Sequence, residues 1–140
     1  MRQYDKELAD GVSEPTFVFL SAQTEEQRTE ITELGQYLQY RERDVGKALL
    51  STLMRFVTDL HLTKTESQEV RLVEQNCGEH ISIMNDIQSW EKELRQSQVS
   101  PGGGEEGSHL CSGVKVLADS VSIDIVAVKA RLWTMVWNLK

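Results

Sequence analysis

From Glu66 to Gln98 the chain runs without a proline, and apolar residues return at three- and four-residue steps: Val70, Val73, Cys77, Ile81 and Met84. Those steps fall on one face of an α-helix. Thr65 followed by Gln68 reads as a capping box that opens this helix. Elsewhere β-branched and polar residues do not alternate over any useful length, and there are only two prolines. The chain therefore reads as all-α.

Shorter helices flank the long one. The first 13 residues are polar and read as frayed or loop-like. Phe17, Phe19 and Leu20 form an apolar island. Thr24 with Gln27 is a second capping-box candidate, and helical pattern then runs through Ile31, Leu34 and Leu38. The pattern loosens between Gln39 and Gly46 and resumes through Ala48, Leu49, Leu53, Phe56, Val57 and Leu60. Residues 99–108, VSPGGGEEGS, have the composition of a flexible loop. Two further helices are expected, about His109–Asp119 and Ile123–Asn138. The last is apolar on much of its surface and reaches Lys140 with no stop signal. Both ends of the chain look cut.

With 140 residues, 39% of them hydrophobic and 26% charged, the chain suits a single soluble domain, residues 1–140. A formal charge of -7 argues against a nucleic-acid partner, which would need a basic face. It does not exclude an anionic ligand, provided a metal ion brings positive charge to the site. There is no apolar run long enough to span a membrane, and the N-terminus has no apolar core of a signal peptide. Cys77 and Cys111 are too few for a disulfide framework and read as small buried hydrophobes. A reducing, cytoplasmic setting follows. Trp90, Trp133 and Trp137 read as core or interface residues, and His61, His80 and His109 lack metal-ligand spacing.

Within the long helix lies Asn85-Asp86-Ile87-Gln88-Ser89-Trp90-Glu91-Lys92-Glu93. At about 100° per residue, Asn85, Ser89 and Glu93 share one face within roughly 80°. They offer an amide oxygen, a hydroxyl and a carboxylate, the all-oxygen set a hard cation such as magnesium prefers. Lys92 returns to the same face. The same residues at the same spacing also suit a solvated helix face. Upstream, the cluster of Arg41, Glu42, Arg43 and Asp44 suits a charged surface equally well.

NDIQSWEKE resembles the (N/D)Dxx(S/T)xxxE metal-binding motif of class I terpene cyclases. The stretches YLQYRERDVGKALLSTLMRF, VEQNCGEHISIMNDIQSWEKEL and EEGSHLCSGVKVLADSV are similar to the fungal sesquiterpene members of that family. The resemblance implies a partial class I terpene synthase helical bundle. It implies that Asn85, Ser89 and Glu93 ligate magnesium and that Lys92 contacts the diphosphate of farnesyl diphosphate. It further implies that Arg41 senses diphosphate, that Asp44 holds Arg41, and that Val45 offers its carbonyl to substrate at a helix break. Asp86, turned about 100° from Asn85, would support the site from behind. Phe17 and Phe19 could line a pocket for carbocations, or simply pack.

The aspartate-rich motif that completes such a site is absent; Asp5 and Asp10 do not form one. So is the family's C-terminal Arg-Tyr pair. The expectation is a C-terminal portion of a cyclase that is inactive alone, with farnesyl diphosphate and a second copy of the chain as partners. A rival reading is a non-catalytic helical remnant that binds another protein through exposed apolar faces. A chain-elongating prenyltransferase would carry two aspartate-rich motifs and fits less well.

Overall fold

The computed structural model describes residues 5–24, 30–99 and 110–139. Among these residues there are six helices and no strand: α1 (Lys6–Thr24), α2 (Leu34–Asp44), α3 (Lys47–Thr58), α4 (Lys64–Val99), α5 (Gly113–Val121) and α6 (Ile125–Asn138). The all-α expectation holds. No helix of the described residues is long and apolar enough to cross a membrane.

The N-terminal expectation needs correction. Residues 6–13 are not loop but the opening turns of α1. Asp5 caps them: its Oδ1 accepts from the Leu8 N–H at 3.0 Å, and its carbonyl from Ala9 N–H at 3.1 Å. Packing of α1 against α3 and α2 outweighs its polar composition. Thr24 is the last residue of α1 rather than a cap, and Gln27 lies outside the described residues. The next helix starts later, at Leu34, after an extended Glu33.

The loosened pattern after Gln39 hides a helix end. α2 continues to Asp44, and Val45 closes it by donating its N–H to the Arg41 carbonyl at 2.8 Å. Gly46 then turns left-handed at φ 70, and α3 begins at Lys47. A Cβ at Gly46 would stand 3.1 Å from the Phe19 ring, so glycine is needed there on two counts.

The start of α4 is capped by Thr63 and Glu66, not by Thr65 and Gln68. Glu66 Oε2 accepts from the Thr63 N–H at 2.8 Å, and Thr63 Oγ1 accepts from the Glu66 N–H at 3.2 Å. The hydrogen-bonded pattern is the capping box itself, shifted by two residues. α5 and α6 are shorter than expected at their beginnings. Ser112 caps α5 by accepting from Val114 N–H, and Asp124 caps α6 by accepting from Val126 and Ala127.

The core lies where α4, α5 and α6 meet. Ile83, Ile87 and Trp90 of α4 pack with Val114 of α5 and Val128, Leu132 and Val136 of α6. Burial of each such side chain contributes about 1.5–3 kcal/mol. The buried face of α4 is thus not the stripe its periodicity suggested. Val70, Val73, Cys77 and Ile81 are exposed, and only Met84 of that set packs against the core. Cys111 is half-buried. Trp90 is buried and Trp133 packs at the core's edge, whereas Trp137 is exposed.

Candidate metal and diphosphate site

α2 packs against α4, and one turn of each makes the contact that matters. Tyr37 and Arg41 lie four residues apart on α2, so they share a face. That face meets Asn85 and Asp86 of α4. Tyr37 Oη donates to Asp86 Oδ2 at 2.6 Å. Arg41 Nη2 donates to Asp86 Oδ1 at 3.1 Å and to Asn85 Oδ1 at 3.0 Å. Arg41 Nη1 forms a short ion pair with Asp44, one turn along α2. The Gly113 N–H, at the start of α5, donates to Asp86 Oδ2 at 2.8 Å.

Asp86 therefore knots three helices together. Its side chain is buried and its hydrogen-bond partners Tyr37, Arg41 and Gly113 all donate, so the carboxylate accepts from each. Burial pushes its carboxyl above the usual carboxylate range; the Arg41 guanidinium, then Tyr37 and the Gly113 N–H, pull the other way. Burial likewise works against the Arg41 charge, but Tyr37, Asp86 and Asp44 outweigh it and hold the guanidinium above its ordinary value. Burial, reinforced by Asp86, raises Tyr37 well above a free phenol. One atom of the knot is left over: Arg41 Nε is buried with no hydrogen-bond partner among the described residues.

Asn85, Ser89 and Glu93 step along α4 beside this knot. Ser89 Oγ donates to Glu93 Oε1 at 2.5 Å and lies 2.7 Å from the Asn85 backbone carbonyl, so the hydroxyl and the carboxylate converge on one spot. Asn85 is exposed, and Ser89 and Glu93 are half-buried. The set is all oxygen, carries one formal charge and opens to solvent. A cation already stands at one of its donors, since the Arg41 guanidinium sits on Asn85 Oδ1. The residues fit a hard divalent ion that keeps positions for water and phosphate oxygens.

The other expected residues fall as follows. Lys92 is exposed on α4 and makes no hydrogen bond or ion pair with the other described residues. Val45 sits at the α2–α3 break and Asp44 one residue before it. Phe19 packs on Gly46 beside that break, whereas Phe17 faces solvent. A cavity of about 210 Å³ between α2 and α4 is lined by Gly35, Leu38, Gln39, Glu42, Gln75, Glu79 and Ser82; neither phenylalanine reaches it. Asp5, Asp59 and His61 form a separate exposed group, in which His61 Nε2 lies 3.2 Å from Asp5 Oδ2. It joins the start of α1 to the α3–α4 link.

Sequence reasoning missed Tyr37 and Gly113. Tyr37 had one faint signal, its place one turn before Arg41. Gly113 had another, a glycine directly after the capping Ser112. A Cβ at Gly113 would come within 2.9 Å of Asp86 Oδ2 and 3.0 Å of Tyr37 Cε1, so only glycine lets α5 approach this closely.

A family model described as the C-terminal metal-binding domain of terpene synthase family 2 matches residues 8–139. The chain belongs to the terpene synthase family. Within it, the chain is 52% identical over 135 residues to aristolochene synthase from Penicillium roqueforti, covering 96% of this chain and 39% of that protein. It is 45% identical over 142 residues to aristolochene synthase from Aspergillus terreus, covering 43% of it. The crystal structure of the Penicillium roqueforti enzyme superposes with a TM-score of 0.75 at 47% identity, over 96% of this chain and 42% of that one. The chain thus spans about two fifths of the length of these relatives.

Proposed function

We propose that residues 1–140 form part of a class I α-domain and supply one wall of a magnesium-dependent sesquiterpene cyclase site. The reaction is ionisation of farnesyl diphosphate and its cyclisation to a bicyclic hydrocarbon of the aristolochene kind, with release of diphosphate. The observation that carries this reading is the 3.0 Å hydrogen bond between Arg41 and Asn85, which joins a cationic anion-binder to the first residue of an all-oxygen ligand set. In this reading Asn85, Ser89 and Glu93 hold magnesium. When bound, the ion supplies positive charge that makes diphosphate a tolerable leaving group. Arg41 offers diphosphate a planar fork of donors and Lys92 a point charge. Asp44 orients Arg41, and Val45 presents its carbonyl at the helix break, beside which Phe19 packs on Gly46. Water must be kept from the allylic cation, which requires walls beyond those described here.

No aspartate-rich DDxxD/E motif occurs in the sequence. The expected outcome is therefore no turnover by these 140 residues alone. Completing them with the N- and C-terminal segments of the Penicillium roqueforti relative should restore it. The assay is incubation with farnesyl diphosphate and magnesium, followed by gas chromatography of volatile hydrocarbons. Ser89→Ala in the fusion should abolish product. Silence from both proteins would sink the enzyme reading. The exposed apolar residues of α3 and α4 favour a second reading, a helical interaction module. It predicts no magnesium-dependent binding of diphosphate by calorimetry.

A further inference from the structure

Three side chains meet where the start of α1 reaches the link between α3 and α4. Asp5 stands just before α1, and Asp59 and His61 stand on the link. His61 Nε2 lies 3.2 Å from Asp5 Oδ2 and 3.9 Å from Asp59 Oδ1, and one ligand atom from each of the three falls within 4.8 Å of the others. Bonds of about 2.0–2.1 Å to a tetrahedral ion place its ligand atoms about 3.3 Å apart. The Asp5–His61 edge has nearly that length. The Asp59 edge is longer, and its carboxylate, exposed by 82%, can rotate inwards.

Asp5 is oriented by its other oxygen. Oδ1 caps α1 on the Leu8 N–H at 3.0 Å, which leaves Oδ2 facing His61. The Leu8 N–H also holds the Asp5 carboxyl below its ordinary value. The charges at this spot do not balance. Among the described residues His61 is the one cationic partner of either carboxylate, and two carboxylates around one imidazole stay net negative even when it is protonated. An ion pair accounts for one carboxylate beside His61 but not for the second. The donor set also selects the ion. An imidazole nitrogen with two carboxylate oxygens suits a borderline divalent ion such as Zn²⁺, whereas Mg²⁺ prefers oxygen throughout.

We propose that Asp5, Asp59 and His61 form a second metal site, apart from the Asn85–Ser89–Glu93 set, that takes a Zn²⁺-class ion. Water completes the coordination, and the ion clips the start of α1 to the α3–α4 link. Spacing along the chain hides the site, because the packing of α1 on α3 is what brings Asp5 to His61. The site and the cyclase reading stand independently of each other.

Isothermal titration calorimetry of the 140-residue chain with ZnCl₂ tests it. His61→Ala and Asp5→Asn should each weaken Zn²⁺ binding roughly 10–100-fold or more, since even the outer partners of a metal ligand are worth that much. Asp5→Asn keeps an oxygen for the Leu8 cap, so its loss would not be a loss of fold. Cys77→Ser, which removes an exposed thiol, and Ser89→Ala should bind Zn²⁺ as the parent does. Zn²⁺ at ten times Kd should raise the melting midpoint of the parent by roughly 3–6 °C and leave that of His61→Ala unmoved. Unchanged binding in His61→Ala would put the ion elsewhere and overturn the site. So would loss of binding in Cys77→Ser or Ser89→Ala, or no binding up to millimolar Zn²⁺. Binding with no rise in the parent's midpoint would overturn the clip. None of these outcomes bears on turnover of farnesyl diphosphate by the completed enzyme, so the two readings fail separately.

Discussion

Asp86 concentrates more of the structure than any other side chain near the site. It receives Tyr37, Arg41 and Gly113 from three directions, and without it the Tyr37 hydroxyl and the Gly113 N–H would lose their acceptor while Arg41 would keep only Asp44 and Asn85. Asp86→Ala should therefore destabilise the chain by about 3–5 kcal/mol, the cost of breaking a buried charge pair from one side. Tyr37→Phe removes one donor and leaves the rest, so about 1.5–3 kcal/mol is expected. Urea unfolding followed by far-ultraviolet circular dichroism ranks the two; equal losses would mean the knot is not centred on the carboxylate. Gly113→Ala tests the same point from α5. Its Cβ would press on Asp86 Oδ2 and Tyr37 Cε1, and the resulting shift should cost about 1–3 kcal/mol in the same assay. At this scale the sequence was half legible. The one-turn spacing of Asn85, Ser89 and Glu93 is visible in it, because it is a local property of a helix. The Arg41–Asn85 and Tyr37–Asp86 bonds span 44 and 49 residues and belong to helix packing, which no local pattern encodes.

Helix α4 shows how far periodicity carries and where it fails. Its existence and length follow from an uninterrupted run without proline. Its start did not, because Thr63–Glu66 and Thr65–Gln68 both satisfy the capping-box spacing; only the first pair offers a carboxylate, the stronger acceptor for a backbone N–H. Thr63→Ala should lower stability by about 1 kcal/mol. Its pH dependence has a definite sign. The Thr63 backbone and hydroxyl hydrogen bonds hold the Glu66 carboxyl below its ordinary value. A folded-state value depressed below the unfolded one stabilises above the unfolded pKa of about 4.3, and that gain is lost as pH falls through the folded value. The gap between melting curves of the parent and Thr63→Ala should thus widen above pH 5, where the Thr63 hydroxyl meets a carboxylate, and narrow below pH 4 to the part owed to the Thr63 Oγ1–Glu66 N–H bond; a constant gap would deny Glu66 its part. The buried face of α4 was misread for a different reason. Periodicity reports which residues could share a buried face, not which turns have neighbours. α2, α5 and α6 pack on α4, and its buried residues begin only at Gly78.

The molecule as a whole shows the consequence of that uneven cover. Its core gathers at α4, α5 and α6, while Met54 and Val57 on α3, and Leu72 and Val73 on α4, are exposed by 69, 76, 72 and 64%. Exposed large apolar side chains such as these favour association. A formal charge of -7 opposes it, because every approaching copy carries the same sign. Salt separates the two forces. Raising ionic strength shortens the reach of the charge repulsion and leaves apolar contact intact. Light scattering on a size-exclusion column should therefore show a mass that grows with both protein and salt concentration. Replacing Met54 and Leu72 together by lysine and glutamate, which leaves the net charge unchanged, should return the chain to a monomer at the same salt. Association that weakened as salt rose would instead mark ion pairs such as Lys115–Asp119 or Lys129–Glu91 exchanging between copies, and the apolar faces would then have no part in it.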